Sequence, residues 1–202
     1  MAPPWHPDDH PDYDGILTGP SASALSALLG GGPASAECFL RDTREVHREL
    51  YLSLTPPGFA EYAGTYRGEP GTALEDRECS APGITKEEPT TFVAAARVAT
   101  MLASGLSPAI DALVSATGSE PPGQLFLRAV KVFWIFGMIH PYLDGNGHIQ
   151  RLAFAAAIAQ RPELTLLPSW TIHPRPYDVD LAIAFENGLN AVAGVLSPYV
   201  AR

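Results

Sequence analysis

Two long apolar segments joined by a short glycine-rich stretch constrain the fold of this chain more than any other feature. Residues 124–139 are apolar on most sides, and residues 148–160 are rich in Leu, Ala and Phe. Segments of this length and composition predict buried helices. Because Pro141, Gly145 and Gly147 stand between them, we expect the two helices to meet at a loop instead of continuing as one rod.

Weaker periodic patterns predict the rest of the fold. They indicate further helices at residues 21–29, 36–54, 90–104, 108–116 and 176–195. Residues 1–20 are rich in Pro, Asp and His without periodicity, so we expect an irregular arm there. Residues 68–89 are rich in Gly, Pro, Glu and Thr, which favours an extended flap or hairpin. The sequence therefore predicts a mainly α protein, with residues 1–35 as an arm and short helix and residues 36–202 as one domain.

Charge and cysteine content narrow the expected partners and compartment. The 202 residues carry a formal net charge of -9, and general binding to nucleic acid or anionic membranes needs Lys and Arg, so we expect neither partner. Cys38 and Cys79 fit neither a disulfide framework nor a zinc spacing, which indicates a reducing compartment. Residues 1–20 lack the pattern of a signal peptide, and the most apolar segment, residues 129–139, is too short to cross a bilayer. We therefore expect a cytoplasmic protein, or one delivered into another cell without such a signal.

The loop between the two long helices has the features of a phosphate-binding turn. Gly145 and Gly147 let successive backbone N–H groups converge on an anion at the N-terminus of the following helix. Asn146 adds a side-chain donor. Arg151 lies one turn into that helix, where its guanidinium can reach another phosphate of the same nucleotide.

Two residues of the same loop offer chemistry beyond anion binding. Asp144 beside such a turn suits Mg²⁺, which takes one or two carboxylates together with phosphate oxygens. His140 can then act as the base that accepts a proton from an attacking hydroxyl. A metal-only interpretation of His140, Asp144 and His148, which are spaced four apart, requires one continuous helix. Pro141 and the glycines oppose that helix, so we do not favour this interpretation.

This loop resembles the signature of a known family. The string His140-Pro-Tyr-Leu-Asp-Gly-Asn-Gly-His-Ile-Gln-Arg151 is similar to the motif of Fic (filamentation induced by cAMP) proteins, H-x-F-x-D/E-G-N-G-R-x-x-R. A second block, Tyr62-Ala-Gly-Thr-Tyr-Arg67, resembles the turn that precedes the family's flap. The resemblance covers roughly residues 36–196 and implies a mainly α, Fic-type helical bundle with a β-hairpin flap.

The same resemblance implies a transferase and assigns roles by matching position. Fic proteins usually transfer AMP from Mg-ATP to a Ser, Thr or Tyr hydroxyl of a target protein. His140 would be the general base and Asp144 the Mg²⁺ ligand. The flap, residues 68–89, would clamp the target protein by backbone pairing, and the resemblance also allows a separate inhibitory, antitoxin-like protein as a partner. The implied nucleotide- and phosphate-binding set is Gly145, Asn146, Gly147, His148 and Arg151.

Two departures from the family pattern affect these expectations. Tyr142 replaces the usual Phe and adds a hydroxyl that needs a partner. His148 replaces an arginine that grips a donor phosphate, and a histidine offers at most one donor there and is only partly charged at pH 7. The transferred group is therefore left open between AMP and UMP, phosphocholine or phosphate. A degenerate domain that binds a nucleotide or a protein without catalysis is a further alternative.

We interpret the remaining candidate residues, which lie outside the loop, as structural and not as part of the site. The nearest approach to the family's inhibitory helix motif, residues 182–187, lacks the hydroxyl residue of that motif. We interpret Glu186 as a surface residue on the last helix. Four other histidines are interpreted as surface or helix-contact residues: His6, His10, His47 and His173.

Overall fold

The protein folds mainly into helices, as the sequence predicts. The structure is a computed structural model that describes residues 3–82, 88–175 and 178–202. Its α-helices are α1 (Tyr13–Gly30), α2 (Gly32–Arg41), α3 (Arg44–Tyr51), α4 (Val98–Met101), α5 (Ser107–Val114), α6 (Pro122–Ile139), α7 (Asn146–Ala159), α8 (Asp178–Asn187) and α9 (Leu189–Leu196). Two antiparallel strand pairs complete the described fold: β1 (Ser80–Ala81) with β2 (Thr90–Thr91), and β3 (Thr165–Leu166) with β4 (Val200–Ala201).

The core is built around α6 and α7, the two helices that the apolar segments predict. These helices pack on each other, while α7 also contacts α1 and α2, and α6 contacts α5 and α9. Among the described residues, α6 alone is long and apolar enough, by length and composition, to cross a membrane, and half of it is buried inside the protein. Packing in the core therefore accounts for its apolar composition.

The N-terminal segment differs from the prediction of an irregular arm. Helix α1 begins at Tyr13 and continues through Pro20, where an arm was expected. Leu17 and Leu28 are buried, and α1 packs on α7. This packing outweighs the backbone hydrogen bond that Pro20 removes. The composition of residues 1–20 predicts irregular backbone, but contacts with α7 stabilise a helix from Tyr13 onward.

Two of the predicted helices are each broken into two. Residues 36–54 divide into α2 and α3 at Asp42, whose backbone is extended (φ -146°, ψ 110°) and whose carboxylate accepts the backbone N–H of Arg44 at 3.0 Å in a local turn. The predicted helix at residues 176–195 divides into α8 and α9 at Gly188, whose φ of 91° lies in the left-handed region. Residues 176 and 177, the first two positions of that predicted helix, lie outside the described residues.

The predicted flap is a β-hairpin, but it is shorter and begins later than residues 68–89. Strand β1 pairs with β2 in the register Ser80 to Thr91. Residues 68–79 form a series of turns instead, in which Leu74 is fully buried. Thr91 was assigned to a helix, yet the first helical turn of that region starts at Ala95. Residues 83–87 of the predicted flap lie outside the described part of the chain.

Candidate active site

A cavity of about 410 Å³ opens where the hairpin, the end of α6, the start of α7 and α8 meet. Met138, Leu181 and Phe185 contribute apolar walls, and Arg151 and Arg175 contribute positive charge. This volume lies in the range of pockets that bind small ligands. The combination of apolar walls and cations suits a ligand with a flat ring system and phosphate groups.

His140 lies at the edge of this cavity and ends α6 in a left-handed backbone conformation. Its φ is 53° and its ψ is 62°, which costs a residue with a side chain about 1 to 2 kcal/mol. The buried Arg67 holds this conformation, since its Nε and Nη2 donate to the His140 carbonyl oxygen at 3.0 and 2.8 Å. Arg67 Nη2 also donates to the carbonyl oxygen of Val93, at 3.0 Å, just beyond the hairpin. One arginine therefore fixes both the histidine and the base of the flap.

The His140 ring is held in one orientation and one tautomer. Its Nδ1 donates to the carbonyl oxygen of Gly137 at 3.3 Å, which leaves the lone pair on Nε2. Phe92 stacks on the ring with a centroid distance of 3.6 Å and an interplanar angle of 8°. Burial lowers the pKa of His140 to about 4, and the charge of Arg67 adds to this effect. The imidazole is therefore neutral at pH 7, which is the form that accepts a proton.

The glycine-rich turn leads directly into α7. Gly145 has a φ of 76° and is the residue before the helix, and no side-chain cap bonds the first amides of α7. The carboxamide of Asn146 bonds the Tyr142 backbone at both ends, accepting its N–H at 2.9 Å and donating to its carbonyl oxygen at 2.8 Å. The side chain of Asn146 therefore closes the loop. An anion would instead be bound by the backbone N–H groups of Asn146 and Gly147.

Asp144, the predicted magnesium ligand, lies in the turn before α7, beside the cavity but outside its lining. One of its oxygens accepts the backbone N–H of Gly145. The side chain is half-buried, and burial is the main cause of a pKa raised above the usual range. The carboxylate oxygen that Gly145 does not bond is of the type that Mg²⁺ takes. Among the described residues no three His, Cys, Asp or Glu side chains group to hold a metal ion, so phosphate oxygens and water would have to supply the other ligands.

Two arginines and one carboxylate lie over the first turn of α7. Arg151 Nη1 donates to the Gly147 carbonyl oxygen at 2.9 Å, and its Nη2 bonds Asp178 Oδ1. Arg175 Nε bonds the other oxygen of the same carboxylate at 3.0 Å. Neither Arg175 nor Asp178 was identified from the sequence, because no local pattern shows that the segment before α8 returns to this loop.

Beneath the turn lies a loop-support cluster of four rings, each with 0 % of its surface exposed: His47, Tyr51, Tyr142 and His148. His47 Nδ1 accepts the backbone N–H of Gly64 at 2.9 Å, so its Nε2 carries the proton and donates to the Asp144 carbonyl oxygen at 3.0 Å. His47 also stacks on Tyr142, with a centroid distance of 3.7 Å. The Tyr142 hydroxyl finds its partner in Thr43 Oγ1 at 2.7 Å. His47 is therefore a buried support of the loop and not a surface residue.

The structure places the His148 ring in this cluster, away from the lining of the cavity. Its Nδ1 lies 2.6 Å from Tyr51 Oη, and its Nε2 lies 3.0 Å from His173 Nδ1. His173 Nε2 in turn lies 3.0 Å from Asp14 Oδ1. Burial lowers the pKa of His148 to about 2. Phosphate binding by His148 stays a prediction, and it would require a neutral, enclosed ring to leave two hydrogen-bond partners.

Comparison with known proteins is consistent with this geometry. The family model of Fic/DOC proteins matches residues 39–158, which is more than half of the chain. The chain belongs to the Fic/DOC family. No curated protein matches the sequence.

Two solved structures resemble this Fic domain. A Fic domain containing signaling protein from Bacteroides thetaiotaomicron has a TM-score of 0.54 and 15 % identity, over 92 % of this chain and 70 % of that chain. A Fic family protein from Desulfovibrio desulfuricans has a TM-score of 0.49 and 15 % identity, over 95 % of this chain and 66 % of that chain. At this identity, the first of these likenesses supports the fold alone.

Membership in the family sets a coarse functional class, because Fic domains are generally transferases of AMP or other groups. Glu186, interpreted as a surface residue on the last helix, is half-buried on α8 and lines the same cavity as His140 and Arg151.

Proposed function

We propose that this Fic domain transfers a nucleotidyl group, AMP from Mg-ATP, to a Ser, Thr or Tyr hydroxyl of a target protein. The state of His140 carries the proposal. Its imidazole is neutral, its Nδ1 is used by Gly137, and the side chain lines one cavity with Gly147 and Arg151. A base and an anion site that share a cavity are the two requirements of transfer from a nucleotide to a hydroxyl.

In the proposed reaction, the target hydroxyl gives its proton to Nε2 of His140 while its oxygen bonds to the α-phosphorus. The bond from the α-phosphorus to the bridging oxygen breaks, and pyrophosphate leaves. The first backbone N–H groups of α7 and the guanidinium of Arg151 stabilise the negative charge on the phosphates. Catalysis on this account is positioning together with charge stabilisation.

Asp144 is the proposed holder of Mg²⁺, which would supply positive charge against the phosphates when bound. Its carboxylate stays ordered at the turn through the Gly145 N–H. The hairpin is the proposed docking element for the target protein. Strands β1 and β2 are two residues each and belong to a sheet of only two described strands, so a peptide can add to it by backbone pairing.

Labelled ATP tests the reaction class. The protein is incubated with Mg²⁺, a cell lysate and ATP that is radiolabelled at either the α- or the γ-phosphate. Relative to lysate and labelled ATP without the protein, nucleotidyl transfer predicts added protein-bound label from the α-phosphate and no added label from the γ-phosphate, whereas phosphoryl transfer gives the opposite result. The mass added to the modified protein then distinguishes AMP from UMP or phosphocholine. Label that persists in the His140→Ala variant would contradict the proposed mechanism.

A nucleotide-binding domain without catalysis is the second candidate. The observation that favours it is the burial of His148, which leaves the position of a family arginine without a side chain in the cavity. This candidate predicts that Mg-ATP binds while neither label reaches protein. The labelling experiment, run beside a binding measurement, separates the two candidates.

A further inference from the structure

Arg175 occupies the space above the phosphate-binding turn. A Cβ added to Gly147 would lie 2.7 Å from Arg175 Nη1 and 3.2 Å from Arg151 Nη1. Both guanidiniums therefore lie directly over the first turn of α7. Both arginines also line the cavity that contains His140. Two like charges at the positive end of a helix repel each other unless an anion lies between them.

The Asp178 carboxylate is the anion that the chain itself supplies. Its Oδ1 bonds Arg151 Nη2, and its Oδ2 bonds Arg175 Nε at 3.0 Å. Each oxygen is thus held by a different arginine. A phosphate group bridges two guanidiniums in the same way, with separate oxygens and charge-assisted hydrogen bonds. The Asp178 side chain is 41 % exposed, so a ligand that enters from solvent can replace it.

His148 does not provide the charge that a second arginine would provide. Its ring is fully buried and bonded to Tyr51 and His173. Burial is the main cause of its lowered pKa, and the charge of Arg175 is the next largest cause. A neutral ring at position 148 and a guanidinium at position 175 are therefore linked, because the second stabilises the neutral form of the first.

We propose that Arg175 is the second phosphate-binding guanidinium of this site, in place of a side chain at position 148, and that the Asp178 carboxylate holds the position of a phosphate group until the nucleotide binds. This inference rests on the proposed nucleotide-dependent function. In the bound state Arg151 and Arg175 exchange one carboxylate for the phosphate oxygens of the donor. One phosphate group of the donor supplies the two oxygens that the two guanidiniums need.

Binding measured by calorimetry tests the role of Arg175. The Arg175→Ala variant should bind Mg-ATP about 10- to 100-fold more weakly than the wild type, because a charge-assisted contact is lost. Adenosine, which has no phosphate, should bind both proteins equally. Arg128→Ala is the matched control, since Arg128 pairs with Glu120 and is not part of the cavity lining. Its affinity for Mg-ATP should equal that of the wild type.

The Asp178→Ala variant should change the affinity for Mg-ATP in the opposite direction. Removal of the competing carboxylate should tighten Mg-ATP binding, by about tenfold for a difference of about 1.4 kcal/mol. If Asp178→Ala left the affinity unchanged, the carboxylate would not hold the position of a phosphate group. If Arg175→Ala weakened adenosine and Mg-ATP equally, its effect would be structural and the inference would be wrong.

One further comparison separates this inference from the proposed function. If Arg151→Ala weakens Mg-ATP binding and Arg175→Ala does not, the nucleotide function stands and the role of Arg175 is refuted. If neither the wild type nor Asp178→Ala binds Mg-ATP or Mg-UTP, both proposals fail. Circular dichroism and thermal unfolding of each variant establish that the variants are folded.

Discussion

The loop between α6 and α7 has two sides that differ in chemistry. The side that faces the cavity presents the His140 ring, the first turn of α7 and the guanidiniums of Arg151 and Arg175. The other side rests on the loop-support cluster, whose four rings are fully enclosed and hydrogen-bonded to the backbone or to neighbouring side chains. One side can exchange its partners for a ligand, and the other can do so only by unfolding.

This difference shows that the residues of one sequence motif have two separate roles. Gly145, Asn146 and His148 pack or hydrogen-bond beneath the loop, while His140 and Arg151 line the cavity. Changes beneath the loop should lower the free energy of unfolding. Changes on the cavity side should alter binding or rate and leave the fold largely intact.

The largest expected effect beneath the loop is its sensitivity to acid. Burial lowers the pKa of His47 to about 4 and that of His148 to about 2, whereas both would titrate near about 6.5 in the unfolded chain. Below about pH 6.5 the unfolded chain therefore binds more protons, and stability falls as the pH falls towards the folded pKa values. Each ring should lower the free energy of unfolding by about 2 kcal/mol between pH 7 and pH 5, which urea unfolding at the two pH values measures.

The His148→Gln variant is the control for this pH dependence because it removes one of three such rings, the third being His140 on the cavity side, whose pKa burial also lowers to about 4. Its unfolding free energy should fall about two thirds as far over the same interval. Burial raises the pKa of Asp144, which acts in the opposite direction at lower pH. A wild-type unfolding free energy that is the same at pH 7 and pH 5 would contradict the neutral burial of these rings.

A smaller loss of stability is expected from Gly145→Ala. The new Cβ would lie 2.5 Å from Tyr51 Cε2 and 2.8 Å from His47 Nε2, at a φ of 76°. Overpacking and left-handed strain together should lower the unfolding free energy by about 3 kcal/mol. Gly58→Ala is the matched control, since Gly58 has a φ of 83° and nothing within 4 Å of its added Cβ. Equal losses in the two variants would show that the cluster does not pack against the turn.

The smallest effect is expected from Tyr142→Phe, which removes the hydroxyl bonded to Thr43 at 2.7 Å. The loss should be about 1 kcal/mol, the usual net value of such a hydrogen bond. A double-mutant cycle with Thr43→Val measures the coupling between the two side chains in urea unfolding. Affinity for Mg-ATP should stay at the wild-type value because Tyr142 lies beneath the loop. Strictly additive losses of unfolding free energy, or a weakened affinity for Mg-ATP, would contradict the distinction between the two sides of the loop.

Much of the site's framework could be predicted from local sequence. Helices α6 and α7 were predicted because their apolar composition demands burial, and the loop because Pro141, Gly145 and Gly147 interrupt any rod. Family resemblance placed His140 and Arg151, and both line the cavity. These features depend on neighbours within a few residues, which a sequence displays directly.

Features set by distant contacts could not be predicted. The ring of His148 is turned under the loop by Tyr51 and His173, which are 97 and 25 positions away. Arg175 reaches the turn only because the segment before α8 folds back over α7. Helix α1 continues through Pro20 because it packs on α7. In each case the deciding partner is far along the chain.

The role of His140 as a base is tested most directly by transfer measured on its variants. His140→Asn suits the left-handed backbone, since Asn tolerates that region, and His140→Ala removes the ring altogether. The account predicts that label transfer from α-labelled ATP falls by about a hundredfold to ten-thousandfold in both variants. Their free energies of Mg-ATP binding and of unfolding should stay within about 1 kcal/mol of the wild type, as should those of a variant at an exposed histidine, His10→Ala. Transfer by either His140 variant at the wild-type rate would contradict the account.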